Sequence, residues 1–225
     1  MTVNSYHFIS AISSRLPSDA VVVCDAGSSY TCTFQAATIK LGQRWIYSHG
    51  VAPMGYGLPA AIGAAFATGR KVICIVGDGG LQMNLQELAT IAHHKLPITI
   101  FVLNNGGYLT MRHTCQNHFG RMTGVGPESG LSFPDLRVLS KAYGLPYFHI
   151  REHDALVELD WLLMRDFPHV VEIAMPHDQP LIPRSSSFKL PDGSITSKPP
   201  EDMYPFLSRE EFLSNMIVKP IDALK

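Results

Sequence analysis

The stretch from Lys71 to Asn105 constrains the fold more than any other part of this 225-residue chain. Residues 71–76 form a β-branched apolar run with no polar alternation. That is the pattern of a strand buried on both faces of a parallel sheet. Gly77, Gly79 and Gly80 surround Asp78, where the backbone can turn sharply and its amides can approach an anion without Cβ interference. Asn84 then reads as a helix N-cap with Glu87 at the capping-box position, and Leu85, Leu88, Ala89 and Ala92 form one apolar stripe. Pro97 opens a second apolar run that ends at Leu103, followed by Asn104-Asn105. The whole predicts a right-handed β-α-β unit, with Asp78 and Asn105 at the carboxyl ends of its strands, where α/β folds bind ligands.

Taken singly, a Gly-Asp-Gly turn and an Asn-Asn strand exit are both common. Framed by two buried strands, they deliver two hard oxygen ligands to one sheet edge. Such a layout suits a divalent cation carrying a diphosphate, because Mg2+ takes one or two protein oxygens and completes its shell with phosphate and water.

The remainder of the chain continues the alternation. Phe8, Ile9, Ile12 and Leu16 have helical spacing, and Val21 to Cys24 reads as a strand followed by Asp25-Ala26-Gly27-Ser28-Ser29. Residues 50–69 carry no charge and approach the length of a membrane span, but they hold two prolines and five glycines. They read better as a glycine loop to Gly57, then a helix with Pro59 in its first turn and Gly69 as its stop. Its small residues, Ala60, Ala61, Gly63, Ala64 and Ala67, suit close packing on a sheet or a partner subunit. A helix over 108–118 follows, with Tyr108 and Met111 facing either substrate or core. Next come a loop over the site at 119–134, a helix over 133–143 starting near Ser132, a strand at 146–150, a helix over 154–165 and a last strand at 169–174. The predicted fold class is α/β, a doubly wound parallel sheet with helices on both faces.

Two regions are expected, residues 1–175 as the binding domain and 176–225 as a Pro-rich extended arm. Seven prolines between Pro176 and Pro205 argue against regular structure there, until Ser208 and Glu211 cap a short helix carrying Phe212, Leu213 and Met216. The arm would lie over the active-site mouth or a neighbouring subunit; the alternative is a disordered linker.

Hydrophobic residues make up 46% of the chain, enough for a sizeable core, and the formal charge of −1 with no basic run gives no reason to invoke nucleic acid or a membrane surface. Four cysteines show no CxxC spacing, and Cys24 and Cys74 fall in predicted buried strands, so they read as packing residues. His93 and His94 are adjacent on a helix and diverge, so no zinc site is expected. Residues 1–17 lack a long apolar core, so no secretory leader is expected, and the chain reads as cytoplasmic.

The run from Gly77-Asp78-Gly79 to Asn104-Asn105 resembles the signature of thiamine-diphosphate enzymes. The wider pattern, through His49-Gly50-Val51-Ala52-Pro53-Met54-Gly55-Tyr56-Gly57 and Asp25-Ala26-Gly27-Ser28-Ser29, resembles the acetolactate synthase large-subunit family and its thiamine-diphosphate-binding fold. The resemblance implies Mg2+ bound by the Asp78 carboxylate, the Asn105 side-chain oxygen and the Gly107 carbonyl. The diphosphate would be assisted by the amides of Gly79 and Gly80 and by the Gly27-Ser28-Ser29 loop. Met54 matches the apolar wedge that bends the cofactor, and the Ala52 carbonyl would accept from its amino group.

The resemblance also implies what is to be sought elsewhere. The glutamate that activates the cofactor lies, in this family, on a separate pyrimidine-binding domain, and relatives carry a middle domain that can hold FAD. The chain is expected to be a fragment or one subunit of a split enzyme acting on a small 2-oxo acid, a decarboxylase or carboligase. It would work as a homo- or hetero-oligomer with a partner supplying that glutamate, and without turnover by itself. The alternative is a non-catalytic cofactor-binding or oligomerisation module.

Overall fold

The computed structural model describes residues 2–189 and 193–220. Six parallel strands form one sheet in the order β2-β1-β3-β4-β6-β5, namely β1 (Val21–Cys24), β2 (Arg44–Ile46), β3 (Val72–Gly77), β4 (Ile98–Asn104), β5 (Tyr147–Ile150) and β6 (His169–Ala174). Strand β2, at one edge, was not expected from the sequence. Its three residues are too few and too exposed to carry a strand pattern.

Both faces of the sheet are covered. Alternate residues such as Cys74, Val76, Ile100 and Val102 pack with Leu58 and Ala61 of α3 (Gly57–Thr68), Leu88 and Ile91 of α5 (Glu87–His93), and Leu136 of α7 (Leu136–Ala142). On the opposite face Phe101 meets Phe8 of α1 (Ser5–Arg15), ring centroids 5.4 Å apart. The same face takes α2 (Ser28–Ala36) and α8 (Leu159–Leu163), both against α1. Each fully buried large side chain contributes about 1.5–3 kcal/mol. This two-sided burial is why the central strands read as continuous apolar runs.

Helix ends follow the sequence in most places. Asn4 caps α1 through Tyr6 N–H at 2.9 Å, Gly69 closes α3 in the left-handed conformation, and Asp135 caps α7. The cap at Asp135 starts α7 at Leu136, three residues later than the expected Phe133. Three other expectations are corrected. Ser28 and Ser29 are not loop residues but the first turn of α2. The helix after β3 begins at Asp78 itself, as α4 (Asp78–Met83), and Asn84 ends it. Asn84 is therefore no N-cap: its amide donates 2.8 Å to the Gly55 carbonyl, and Ala89, placed on the buried stripe, is exposed. The helix after the Asn-Asn pair is α6 (Leu109–Thr114), extended by a π turn over Cys115–Phe119.

The chain divides into two compact units, Met1–Gln179 and Pro180–Lys225. The second contains a hairpin of β7 (Ser187–Lys189) and β8 (Ile195–Ser197), although its prolines argue against regular structure, and α9 (Arg209–Asn215). The Ser208 hydroxyl accepts from Glu211 N–H at 3.2 Å, as its spacing predicts. Within this unit Arg209 and Lys198 hold the Asp202 carboxyl down to about 2. Among the described residues, no helix is long and apolar enough to cross a membrane.

Candidate functional site

The sheet order reverses between β1 and β3, since the chain leaves β1 for β2 on one side and resumes with β3 on the other. A crevice opens at the carboxyl ends of the strands at such a switch point. Here it is a cleft of about 190 Å³. Gly27, Ser28, Ala52, Met54, Asp78, Gly79, Gly80, Asn105 and Gly107 all line it, from four separate stretches of chain. Ser29 does not: it is fully buried, and its hydroxyl donates 2.7 Å to the Ala26 carbonyl.

Asp78 is the charged centre of the cleft. Its Oδ1 accepts from Gly79 N–H at 2.7 Å and its Oδ2 from Gly107 N–H at 3.0 Å. The Gly79 amide, expected to face a phosphate, is thus already directed to Asp78. Burial pushes the Asp78 carboxyl up to about 6 in spite of these bonds. Among the described residues, no lysine or arginine lines the cleft. A bare diphosphate would meet a carboxylate, neutral polar side chains and backbone there, with no cationic side chain among the described lining residues. The donor set is carboxylate, amide and backbone oxygen, which fits a hard divalent cation and, through it, a diphosphate.

Two glycines near Asp78 stand where a Cβ would collide with a neighbour. A Cβ on Gly79 would lie 2.2 Å from Cε1 of Tyr108 and 3.4 Å from Cε of Met54. Gly107, at φ +158°, would put a Cβ 2.0 Å from the Val125 carbonyl oxygen. Ala52 holds φ 45° without being glycine, a costly conformation concentrated at binding sites. Met54 remains 40% exposed in the cleft, an apolar surface without a protein partner over part of its area.

Of the amide pair, only Asn105 lines the cleft. Asn104 belongs to β4; its side chain donates to Glu172 at 2.6 Å and accepts from Gly106 N–H at 3.0 Å. Asp25, to which the sequence pattern assigns no role, holds the backbone behind the cleft. It is buried, and its carboxylate accepts from the amides of Ala26, Gly55 and Gly57 at 2.6 to 3.2 Å. It thereby ties the end of β1 to the segment carrying Ala52 and Met54. A carboxylate directly after a buried apolar strand was the available signal. Among the described residues, no group of three or more His, Cys, Asp or Glu side chains could hold a metal. A cation in the cleft would depend on mixed protein oxygens and its own ligand.

Residues 25–173 match the model of the thiamine pyrophosphate enzyme C-terminal TPP-binding domain. The large subunit of acetolactate synthase isozyme 1 from Escherichia coli K12 is 31% identical over 183 residues, 80% of this chain and 32% of that protein. Isozyme 2 of the same organism is 34% identical over 182 residues, 78% of this chain and 33% of that protein. Among solved structures, a thiamine diphosphate-dependent 4-hydroxybenzoylformate decarboxylase from Rhodococcus jostii RHA1 superposes with a TM-score of 0.67 at 25% identity, over 80% of this chain and 34% of that one. The chain spans about a third of the length of these curated relatives. The matched segment begins at Asp25, the residue that joins β1 to the cleft, and ends in β6. This chain belongs to the thiamine pyrophosphate enzymes and carries their C-terminal TPP-binding domain.

Proposed function

We propose that the chain is the diphosphate-binding component of an acetolactate-synthase-like 2-oxo acid decarboxylase or carboligase. Asp78, Asn105 and Gly107 would hold Mg2+, and the cation would hold the diphosphate. One observation carries this reading: a buried carboxylate and an amide converge on a glycine-walled cleft that, among the described residues, contains no lysine or arginine. Thiamine diphosphate, when bound, supplies the electron sink for breaking or making the bond beside a 2-oxo acid carbonyl.

The work of this chain is orientation and exclusion. Gly79 and Gly107 amides hold both Asp78 oxygens in place while each oxygen keeps lone-pair capacity for a cation. Gly27, Ser28 and Gly80 wall the cleft where phosphate oxygens would lie. Met54, close over Gly79, would offer the cofactor an apolar support. The Ala52 carbonyl would accept from its amino group. Asp25 keeps Ala52 and Met54 at the cleft by its bonds to Gly55 and Gly57.

Activation requires a glutamate from a pyrimidine-binding domain or subunit, so the working form is a homo- or hetero-oligomer. Two experiments test this. Calorimetric titration of thiamine diphosphate into the chain should show binding only with Mg2+; cation-independent binding of equal strength overturns the site. Steady pyruvate decarboxylation by the purified chain, with no partner added, overturns the need for a second component.

A further inference from the structure

We infer that Glu172 and Tyr147 are positioning residues for the cation-binding turn. They act through Asn104, whose amide they hold in the orientation that braces Gly106. The inference rests on the proposed role of Asp78, Asn105 and Gly107.

Glu172 lies on β6 between β4 and β5, opposite Val102 and His149, in a strand otherwise composed of buried or apolar positions. Both of its oxygens are engaged. Oε1 accepts from the Asn104 amide at 2.6 Å, and Oε2 accepts a short hydrogen bond from the Tyr147 hydroxyl. Burial and the neighbouring Glu172 raise the Tyr147 hydroxyl well above its ordinary range, so it stays a donor.

A carboxylate can only accept, so Asn104 must turn its NH2 toward Glu172. Its carbonyl oxygen is then committed to the other side, where it accepts from Gly106 N–H at 3.0 Å. The next amide, Gly107 N–H, donates to Asp78. Both glycines hold positive φ, +71° and +158°, in a turn with little intrinsic preference for this shape. Two successive amides therefore pin the turn, one to Asn104 and one to Asp78, with Asn105 carried immediately before them.

Neither Glu172 nor Tyr147 lines the cofactor cleft. They open instead onto a separate polar cleft of about 550 Å³, with Arg137, His149 and Arg151 on its walls. The side-chain hydrogen-bond route from these residues to the cation-binding turn runs through Asn104. Residues that orient a ligand from behind commonly change metal affinity by about 10–100-fold when lost.

The test uses the full chain with Glu172→Leu, Glu172→Gln, Tyr147→Phe and Asp78→Ala. A glutamine can still accept from Asn104 through its carbonyl while its NH2 meets the Tyr147 oxygen, so it should rescue. Amide hydrogen exchange at Gly106 and Gly107, with no ligand added, should quicken about tenfold in Glu172→Leu and stay near wild type in Glu172→Gln. Mn2+ binding in the presence of thiamine diphosphate, read by electron paramagnetic resonance, should weaken about 10–100-fold in the leucine variant alone of that pair. Unchanged exchange in a cooperatively folded Glu172→Leu overturns the inference, as does equal damage by glutamine and leucine. Should Glu172→Leu fail to fold, Tyr147→Phe decides: faster exchange at Gly106 supports the relay, and unchanged exchange overturns it. Asp78→Ala separates the two ideas. If it leaves Mn2+ binding intact, the cation site itself is wrong, while the ligand-free exchange still judges the relay.

Discussion

Across the gap between the ends of β3 and β4, the backbone amide of Gly107 donates to Oδ2 of Asp78 at 3.0 Å. The two residues are 29 apart in sequence and join the two halves of the site through a hydrogen bond that requires no ligand. The bond leaves the carboxylate buried and, among the described residues, without a lysine or arginine partner in the cleft. A cation would supply the missing charge. Replacing Asp78 by alanine should raise the Kd for Mg2+-dependent thiamine diphosphate binding by about a hundredfold or more, since charged ligand count sets such affinities. Unfolding should stay cooperative. Calorimetry with an accompanying urea melt checks both halves, and undiminished binding removes Asp78 from the site.

The pH dependence has opposite signs for folding and for binding. Asp78 titrates near 3.8 in an ordinary environment and at about 6 in the fold. Between these values the folded chain keeps a proton that the unfolded chain has lost, so stability falls as pH rises through the window. The difference amounts to something on the order of 2–3 kcal/mol, lost in full above pH 6. Cation binding runs the other way, because Mn2+ competes with that proton. Its affinity should drop about tenfold per pH unit below 6. Parallel melts and Mn2+ titrations on wild type and Asp78→Asn, from pH 4.5 to 8, would expose both trends. An identical stability slope in the variant would mean another group titrates.

Gly79 is confined by an aromatic ring. Its substitution by alanine would set Cβ 2.2 Å from Tyr108, whose ring also packs on Phe133 at 5.8 Å. Overpacking of this kind costs about 1–3 kcal/mol. Removing the ring should relieve it, so Gly79→Ala and Tyr108→Ala together should be more stable than the sum of their single effects. A double-mutant cycle by thermal denaturation measures the coupling, and strict additivity would refute the contact.

Asp25 organises the opposite wall. Asp25→Ala leaves the buried amides of Gly55 and Gly57 without their acceptor. Each such donor costs about 1–3 kcal/mol, so a loss of roughly 2–5 kcal/mol is expected in chemical denaturation. Asp25→Asn, which keeps one acceptor oxygen, should lose about half as much. Equal losses in the two variants would assign the effect to packing.

Much of this architecture is written in local pattern. The apolar runs at β1, β3, β4 and β6 mark buried strands because both faces of the sheet are covered, and Gly69 stops α3 because its left-handed backbone suits glycine. Asp78 and Asn105 are visible because each directly follows, within two residues, the end of such a strand. Partnership across the fold is not written that way. Asn84 looks like a cap, yet its amide reaches the Gly55 carbonyl, 29 residues back. Asn104 and Asn105 are indistinguishable as letters, and only the register of β4 against β6 gives the first to Glu172 and leaves the second at the cleft. Asp25 shows its role only when Gly55 and Gly57 are brought to its carboxylate. Hydrophobic period and turn chemistry act over a few residues, so the chain itself determines its strands, its helix stops and its candidate ligands. Hydrogen-bond partners tens of residues apart are chosen by sheet order and register, and those exist only once the strands have packed.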